Sequence, residues 1–385
     1  MRLFLIAGES SGDALGAALM AGLRHLLPQV AFEGIGGPLM AAQGLASRFP
    51  MDELSIMGLA EVLPKYRALK RRIRETAEAI AASGPDAVIT IDSPDFWLLL
   101  LALARAANPG LRTIHYVAPS VWAWRPGRAV RMARVVDHVL ALLPFEPPYM
   151  QAAGMSCDFV GHPVAAEPVA PRAEVAAFRA AQGIDEKAPL VLVLPGSRKG
   201  EVARLAPIFG ATLGQLWLPG LRVVVPTVAA RAAQVRAEVE GWPGAPVVLD
   251  AATTPPEVKR AAFAAADVAL AASGTVSLEL AAAGTPMVIG YRMNPITEAL
   301  MLRLARIDTV TLVNLVSETR TIPEFLGRAC RPEALAPALS AILSPGPRRE
   351  AQIAAMALTM QRLGRGGEPP GLRAARSVLG ALGLS

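Results

Sequence analysis

Leu3-Phe4-Leu5-Ile6-Ala7-Gly8-Glu9-Ser10-Ser11-Gly12-Asp13 is the stretch that decides the fold class. The apolar run Leu3 to Ala7 has the continuous hydrophobicity of a strand buried on both faces. A turn rich in glycine and serine follows, and Ala14 to Leu27 then carries apolar residues at helical spacing. Strand, tight turn and helix form the unit from which parallel, doubly wound sheets are built.

Outward from this unit the same alternation recurs. Ala87 to Ile91 reads as a buried strand after the turn Gly84-Pro85-Asp86, and Thr113 to Val117 and Val136 to Leu142 read as further strands. Gly161-His162-Pro163 through Pro171 is rich in Pro and Ala without periodicity and reads as a linker. The pattern restarts with strands at Leu190 to Leu194, Arg222 to Pro226, Val247 to Asp250, Val268 to Ala271 and Pro286 to Tyr291. The expected organisation is α/β throughout, with Rossmann-like units over residues 1–165 and 172–345. A helical tail over 346–385 is expected, with Pro and Gly breaks at Gly364 to Gly371. Successive α/β units of similar size imply a cleft in which ligands bind.

Composition narrows the function classes. A chain of 385 residues, 53% hydrophobic and 5% aromatic, suits helices packed on buried sheets in more than one domain. The longest apolar stretch, Phe96 to Ala104, stops at Arg105, short of the roughly 18 residues of a membrane span. Arg2 and its short apolar run lead straight into the polar loop Gly8 to Asp13, which is not the pattern of a signal peptide. Cys157 and Cys330 have no metal-ligand spacing, and a reduced cytosolic setting is expected. His25, His115, His138 and His162 are scattered, so neither a metal nor a cofactor is expected. The net charge of +6 favours an anionic partner, and no recognition motif points to nucleic acid.

Several loops have the makings of a site. Gly8 to Asp13 offers glycines and helix-start amides that attract anions, although Asp13 also suits a helix cap. Asp92, in Ile91-Asp92-Ser93-Pro94-Asp95-Phe96, ends a buried strand where open α/β sheets present catalytic groups. A carboxylate there can take a proton from an attacking hydroxyl, while Asp92 or Asp95 can equally cap the helix after Pro94. Leu194-Pro195-Gly196-Ser197-Arg198-Lys199-Gly200-Glu201 joins a strand to a helix. Amides from Gly196 onward could cradle a diphosphate, and Arg198 could neutralise a departing one. Ser273, Gly274 and Thr275 fall at another helix start, and Glu279, one turn in, could hold a ribose diol. Each loop also fits a plain capped helix. Together they favour a nucleotide diphosphate site, with a leaving group stabilised by amides and arginine.

Two segments carry surface chemistry. Trp122 and Trp124 sit beside Tyr116, followed by Arg125, Arg128, Arg131 and Arg134 at a spacing that would form one helical stripe. That combination fits a lipid or phosphate surface, or a partly buried loop with a solvated helix. The apolar run Ile56 to Leu63, including Val62 and Leu63, runs into Lys65, Arg67, Lys70, Arg71, Arg72 and Arg74. An apolar patch joined to a cationic stripe is how a monotopic protein rests on an anionic leaflet. Peripheral association with an anionic membrane surface is the expectation.

The sequence resembles bacterial lipid-A-disaccharide synthase, an inverting glycosyltransferase family of GT-B fold. The resemblance is carried by Ala7 to Asp13, Gly34-Ile35-Gly36-Gly37-Pro38, Met57-Gly58 with Glu61-Val62-Leu63, and Ile91 to Phe96. It continues through His115-Tyr116-Val117, Pro119 to Trp124, Leu143-Pro144-Phe145-Glu146 and Phe159-Val160-Gly161-His162-Pro163. Leu194 to Arg198, Ala272 to Thr275, Gly290-Tyr291-Arg292-Met293 and Val313-Asn314-Leu315 complete it, in the family's order over nearly the whole chain.

The resemblance implies a UDP-2,3-diacylglucosamine donor and a 2,3-diacylglucosamine 1-phosphate (lipid X) acceptor. Asp92 matches the base, Arg198 a phosphate-side residue, and Glu279 and Asn314 residues of the UDP site. The N-terminal half would hold the acceptor, with Glu9, Ser11, Gly12, Asp13, Trp122 and Trp124 on that side. Trp97, Leu39 and the absence of an Asp over Ala165 to Glu167 depart from the family's pattern. Alternatives are another GT-B enzyme of UDP-amino sugars, such as an epimerase or a peptidoglycan-type transferase, and a non-enzymatic membrane-bound nucleotide-sugar sensor.

Overall fold

The computed structural model describes residues 1–54, 59–92, 94–293 and 307–384, and all their side chains except those of 59–66 and 94–96. The chain separates into two compact units, Met1–Ala166 with Gly366–Ser385, and Glu167–Arg365.

The first unit is built on β1 (Arg2–Ala7), β2 (Ala31–Ile35), β3 (Ala87–Ile91), β4 (Arg112–Tyr116), β5 (His138–Ala141) and β6 (Ser156–Phe159). They form one parallel sheet in the order β2-β1-β3-β4-β5-β6, with Ala7 opposite Ile91 and Ile91 opposite Tyr116. Leu3 to Ala7 and Ala87 to Ile91 are buried along their whole length, as expected for strands covered by helices on both faces. The helix Ser10–Leu26 lies close on this sheet because Gly12 has no side chain. A Cβ there would stand 3.3 Å from that of Ala7.

The second unit repeats the plan with β7 (Leu190–Leu194), β8 (Arg222–Thr227), β9 (Val247–Asp250), β10 (Val268–Ala271), β11 (Met287–Tyr291) and β12 (Glu324–Leu326). Its parallel sheet runs β12-β11-β10-β7-β8-β9. Each buried Leu or Val of β7 stabilises the unit by roughly 1.5–3 kcal/mol relative to exposure.

Both sheets therefore reverse their winding once. In the first the chain moves from β1 outward to β2 and then to β3 on the other side. In the second it moves outward from β7 through β9 and returns to β10. Ligands of such sheets gather at the carboxyl ends of the strands flanking the reversal.

β2, β6 and β12 were not expected as strands, and all three lie at sheet edges. Their burial is partial and their sequences mix Glu33, Asp158 and Glu324 with apolar residues, so no continuous apolar run marks them.

The segment expected as one tail is divided. The helix Pro347–Arg362 belongs to the second unit and Pro370–Ala381 to the first. The latter crosses Ser10–Leu26 at a contact of glycines, where a Cβ on Gly22 would come within 2.5 Å of the Gly371 carbonyl. Ser377 Oγ donates to Asp158 Oδ2 at 2.7 Å and lies 2.7 Å from His138 Nε2, which ties this helix to β5 and β6. No described helix is long and apolar enough to cross a membrane.

Candidate active site

In the second unit, the loops after β7 and β10 face one cavity of about 710 Å3. Gly196, Ser197, Arg198, Ser273, Gly274, Thr275 and Glu279, all expected at a nucleotide site, line it together. The β8 and β9 ends contribute Thr227 and the apolar Val228, Leu249 and Ala251 to its wall.

The two loops present their donors differently. After β10, the N–H groups of Gly274, Thr275 and Val276 have no acceptor among the described residues, and Val276 begins the helix Val276–Ala283. Open amides at a helix start favour an anion. After β7, the N–H groups of Ser197 and Arg198 both donate to Glu201 Oε2 at 3.2 Å. Those two amides, expected to cradle a phosphate, already hold a carboxylate. The Arg198 guanidinium is exposed, and its Nη1 lies 3.1 Å from Glu201 Oε1.

Glu279 projects from the first turn of its helix, and its Oε2 accepts a hydrogen bond from Lys259 Nζ at 2.6 Å. Lys259 lines the same cavity. Lys259 and Glu201 were missed as site residues. Glu201 carried a local signal, an acidic residue three positions after the residue preceding the helix. Lys259 meets Glu279 only through the tertiary fold.

Asn314 is placed elsewhere. It is 1% exposed and is not among the residues that line the cavity. Its Nδ2 donates to the Ile322 carbonyl at 2.9 Å, and its Oδ1 accepts from the Ile322 N–H at 3.0 Å, so its amide braces the loop before β12.

In the first unit, Asp92 stands at the carboxyl end of β3, half-buried, with φ +56°. Its N–H donates to the Tyr116 carbonyl at 2.9 Å, which continues the β3–β4 ladder into the loop. Its Oδ2 accepts from the Ser11 hydroxyl at 3.2 Å. Left-handed backbone is uncommon outside glycine, with Asp and Asn the tolerated exceptions. Val117, at the end of the adjacent β4, also has a positive φ of 87°, a strained conformation for a β-branched residue. Ser93 and the side chains of Pro94, Asp95 and Phe96 lie outside the described residues.

Other acceptor-side expectations separate by role. Ser11 is exposed and Glu9 half-buried at the loop, whereas Gly12 is buried against the sheet. Asp13 is 3% exposed, and its carboxylate accepts from the N–H groups of Gly37, Leu39 and Met40, each at 2.9 Å. It caps the helix Pro38–Ala42, not its own. Trp97, a departure from the family's pattern, is buried beneath Gly8 and donates from Nε1 to the Ile91 carbonyl at 3.2 Å. The indole thereby steadies the strand end that presents Asp92.

The aromatic and basic segments differ from a simple surface belt. Trp122 is 9% exposed, donates to Glu146 Oε1 at 3.2 Å and packs edge-on against Phe145 at 5.2 Å. Burial pushes the Glu146 carboxyl up to about 7, against hydrogen bonds from Leu143 and Trp122 that lower it. Trp124 is half-buried under the Arg125 guanidinium, 4.2 Å from its ring centre. The expected Arg125 to Arg134 stripe is broken, because Pro126 and Gly127 delay a helix that spans only Gly127–Met132.

In the basic block, Arg67, Lys70 and Arg71 are exposed on the helix Leu59–Ser83 and, with Arg74, Glu75 and Glu78, line a surface groove. Arg72 is instead held by Glu53 at 2.7 Å and Glu75 at 2.8 Å. Residues 55–58 and the side chains of Val62, Leu63 and Lys65 lie outside the described residues. Among the described residues no three His, Cys, Asp or Glu side chains gather as a metal site.

Comparison with known proteins bears on both fold and activity. MurG of Acinetobacter baumannii superposes with a TM-score of 0.58 at 14% identity, over 100% of this chain and 99% of that one. The UDP-GlcNAc 2-epimerase of Neisseria meningitidis, solved bound to UDP-GlcNAc, gives 0.63 at 11% over 100% of both chains. At such identities the likeness is one of fold, and it is the GT-B fold. The lipid-A-disaccharide synthase of Ruegeria pomeroyi is 63% identical, covering 99% of this chain and 96% of that protein. That of Rhodospirillum centenum is 47% identical, covering 99% and 94%. The family model described as lipid-A-disaccharide synthetase matches residues 3–367. With switch-point loops of this geometry and relatives of this identity, the chain belongs to the lipid-A-disaccharide synthase family.

Proposed function

We propose that this glycosyltransferase condenses UDP-2,3-diacylglucosamine with 2,3-diacylglucosamine 1-phosphate, forming a β-1,6-linked disaccharide 1-phosphate and releasing UDP. The observation that carries the reading is the meeting of the Gly196–Arg198 and Ser273–Thr275 loops, with Glu279, in one cavity of the second unit. A nucleoside diphosphate fits there: open amides of Gly274 to Val276 for phosphate, Arg198 for its charge, and the Glu279 carboxylate for a ribose diol.

In the proposed mechanism the acceptor's 6-hydroxyl attacks the anomeric carbon in line with the departing UDP, which inverts that centre. Asp92 takes the hydroxyl proton, a contribution typically worth 10²–10⁴-fold. Arg198 and the open amides stabilise the charge that develops on the diphosphate. Holding both sugars at attack distance supplies the largest saving in barrier. The basic face of Leu59–Ser83 supports a peripheral position on the cytoplasmic face of the inner membrane, where both lipid substrates reside.

Incubation with both lipid substrates, with and without chelator, tests the reading. Disaccharide 1-phosphate and UDP are expected in equal amounts. Release of UDP or a changed sugar without a disaccharide would replace it with another UDP-sugar activity, and tight UDP binding without turnover would leave a sensor.

A further inference from the structure

The charge that shapes the phosphate loop is itself negative. Glu201 is 7% exposed and sits beneath the Gly196–Arg198 loop. One oxygen accepts from the N–H groups of Ser197 and Arg198, both at 3.2 Å. The other lies 3.1 Å from Arg198 Nη1 and accepts from the Tyr291 hydroxyl at 3.0 Å. Gly196, at φ +108°, admits this carboxylate, because a Cβ there would stand 2.7 Å from Glu201 Oε2. Four donors thus converge on a single anion at the wall of the nucleotide cavity. A carboxylate so bound occupies the amides that would otherwise take a phosphate.

We infer that Glu201 is a positioning residue for the leaving-group site, which acts by aiming the Arg198 guanidinium and by keeping the Ser197 and Arg198 amides from the phosphates. The inference rests on the proposed glycosyl transfer from a UDP-sugar. Arg198 is held by an anchored carboxylate in a long side chain's otherwise mobile fork, so its direction is set before the donor arrives. The price is a like charge close to the diphosphate, which opposes tight binding of donor and product alike. Binding forgone in the ground state and stabilisation gained as charge develops on UDP is the pattern that raises turnover. Tyr291, at the end of β11, fixes the carboxylate from the side away from the loop amides.

A residue that only supported the fold would weaken binding and turnover together when replaced. The proposed role separates them. In the full-length protein, Glu201→Gln is expected to tighten UDP binding by about threefold or more in calorimetric titration, and to lower kcat by roughly tenfold or more. Weakened or unchanged UDP affinity, or an unchanged kcat, would overturn the inference. Tyr291→Phe provides a milder variant should Glu201→Gln fold poorly. It is expected to lower kcat about threefold without weakening UDP, and a matching loss of both would count against the role. If the unmodified protein bound UDP but made no disaccharide, the functional reading would fail on its own. The UDP titrations would still decide whether Glu201 keeps the loop amides from phosphate.

Discussion

The Ser11 hydroxyl donates to Asp92 Oδ2 across 3.2 Å, and this bond joins the loops that part at the reversal between β1 and β3. The same reversal in the second sheet brings the loops after β7 and β10 to one cavity. Each unit thus places its chemical groups where the winding changes direction.

Asp92→Asn is expected to keep the fold and UDP affinity while lowering turnover by roughly 10²–10⁴-fold. Asparagine tolerates the left-handed φ of +56°, so the change reports on charge alone. Asp92→Ala should lose about 1 kcal/mol of stability as well. Steady-state rates with denaturant melts check both, and near-normal turnover of the Asn variant would remove Asp92 as the base.

Arg198→Ala should weaken donor binding and turnover together, if the guanidinium meets the diphosphate in ground and transition states alike as proposed. Donor titration and kcat measured on one preparation test this. An unchanged profile would place the arginine outside the site.

Asp13→Ala is expected to act on stability instead of chemistry. Three backbone N–H groups of the Gly37–Met40 turn lose their shared acceptor, at a cost on the order of 3 kcal/mol. The folded fraction should turn over at nearly the normal rate. A stable variant with a specific loss of acceptor affinity would instead make Asp13 a substrate contact.

Glu146 gives a pH dependence with a definite sign. Burial raises its folded value to about 7 from 4.5, so the fold favours the protonated acid. The resulting stability is fully present below pH 4.5, declines as the unfolded chain ionises, and is lost by about pH 7, a span of roughly 3 kcal/mol. Glu146→Gln cannot ionise and should lack this slope. Unfolding curves at pH 5 and pH 8 for both proteins decide it, and parallel behaviour would contradict the buried-acid account.

Charge reversal at Arg67, Lys70 and Arg74 should release protein from anionic vesicles into the supernatant, since each basic residue near such a surface contributes about 1 kcal/mol. Arg72 is omitted because Glu53 and Glu75 already neutralise it. Equal sedimentation of the variant would exclude this face as the membrane contact.

Apolar runs such as Leu3 to Ala7 and Leu190 to Leu194, each followed by a glycine turn and a helix, made the α/β architecture legible, because a strand buried on both faces must be apolar throughout. The same local chemistry marked Asp92 and the loops at Gly196 and Ser273 as strand-end groups. The edge strands β2, β6 and β12 escaped notice, since their partial burial and acidic residues leave no such run, whereas the edge strand β9 kept its apolar Val247 to Leu249. Only the tertiary structure decided how these polar groups are used. Asp13 was legible as a cap but not as the cap of another helix, and Trp122 as an aromatic but not as the buried partner of Glu146. Lys259 meets Glu279 and the last helix meets the first strand unit through contacts distant in sequence. Local periodicity reports whether a residue faces water or core, whereas the partner of a polar side chain depends on which loops the winding of the sheet brings together.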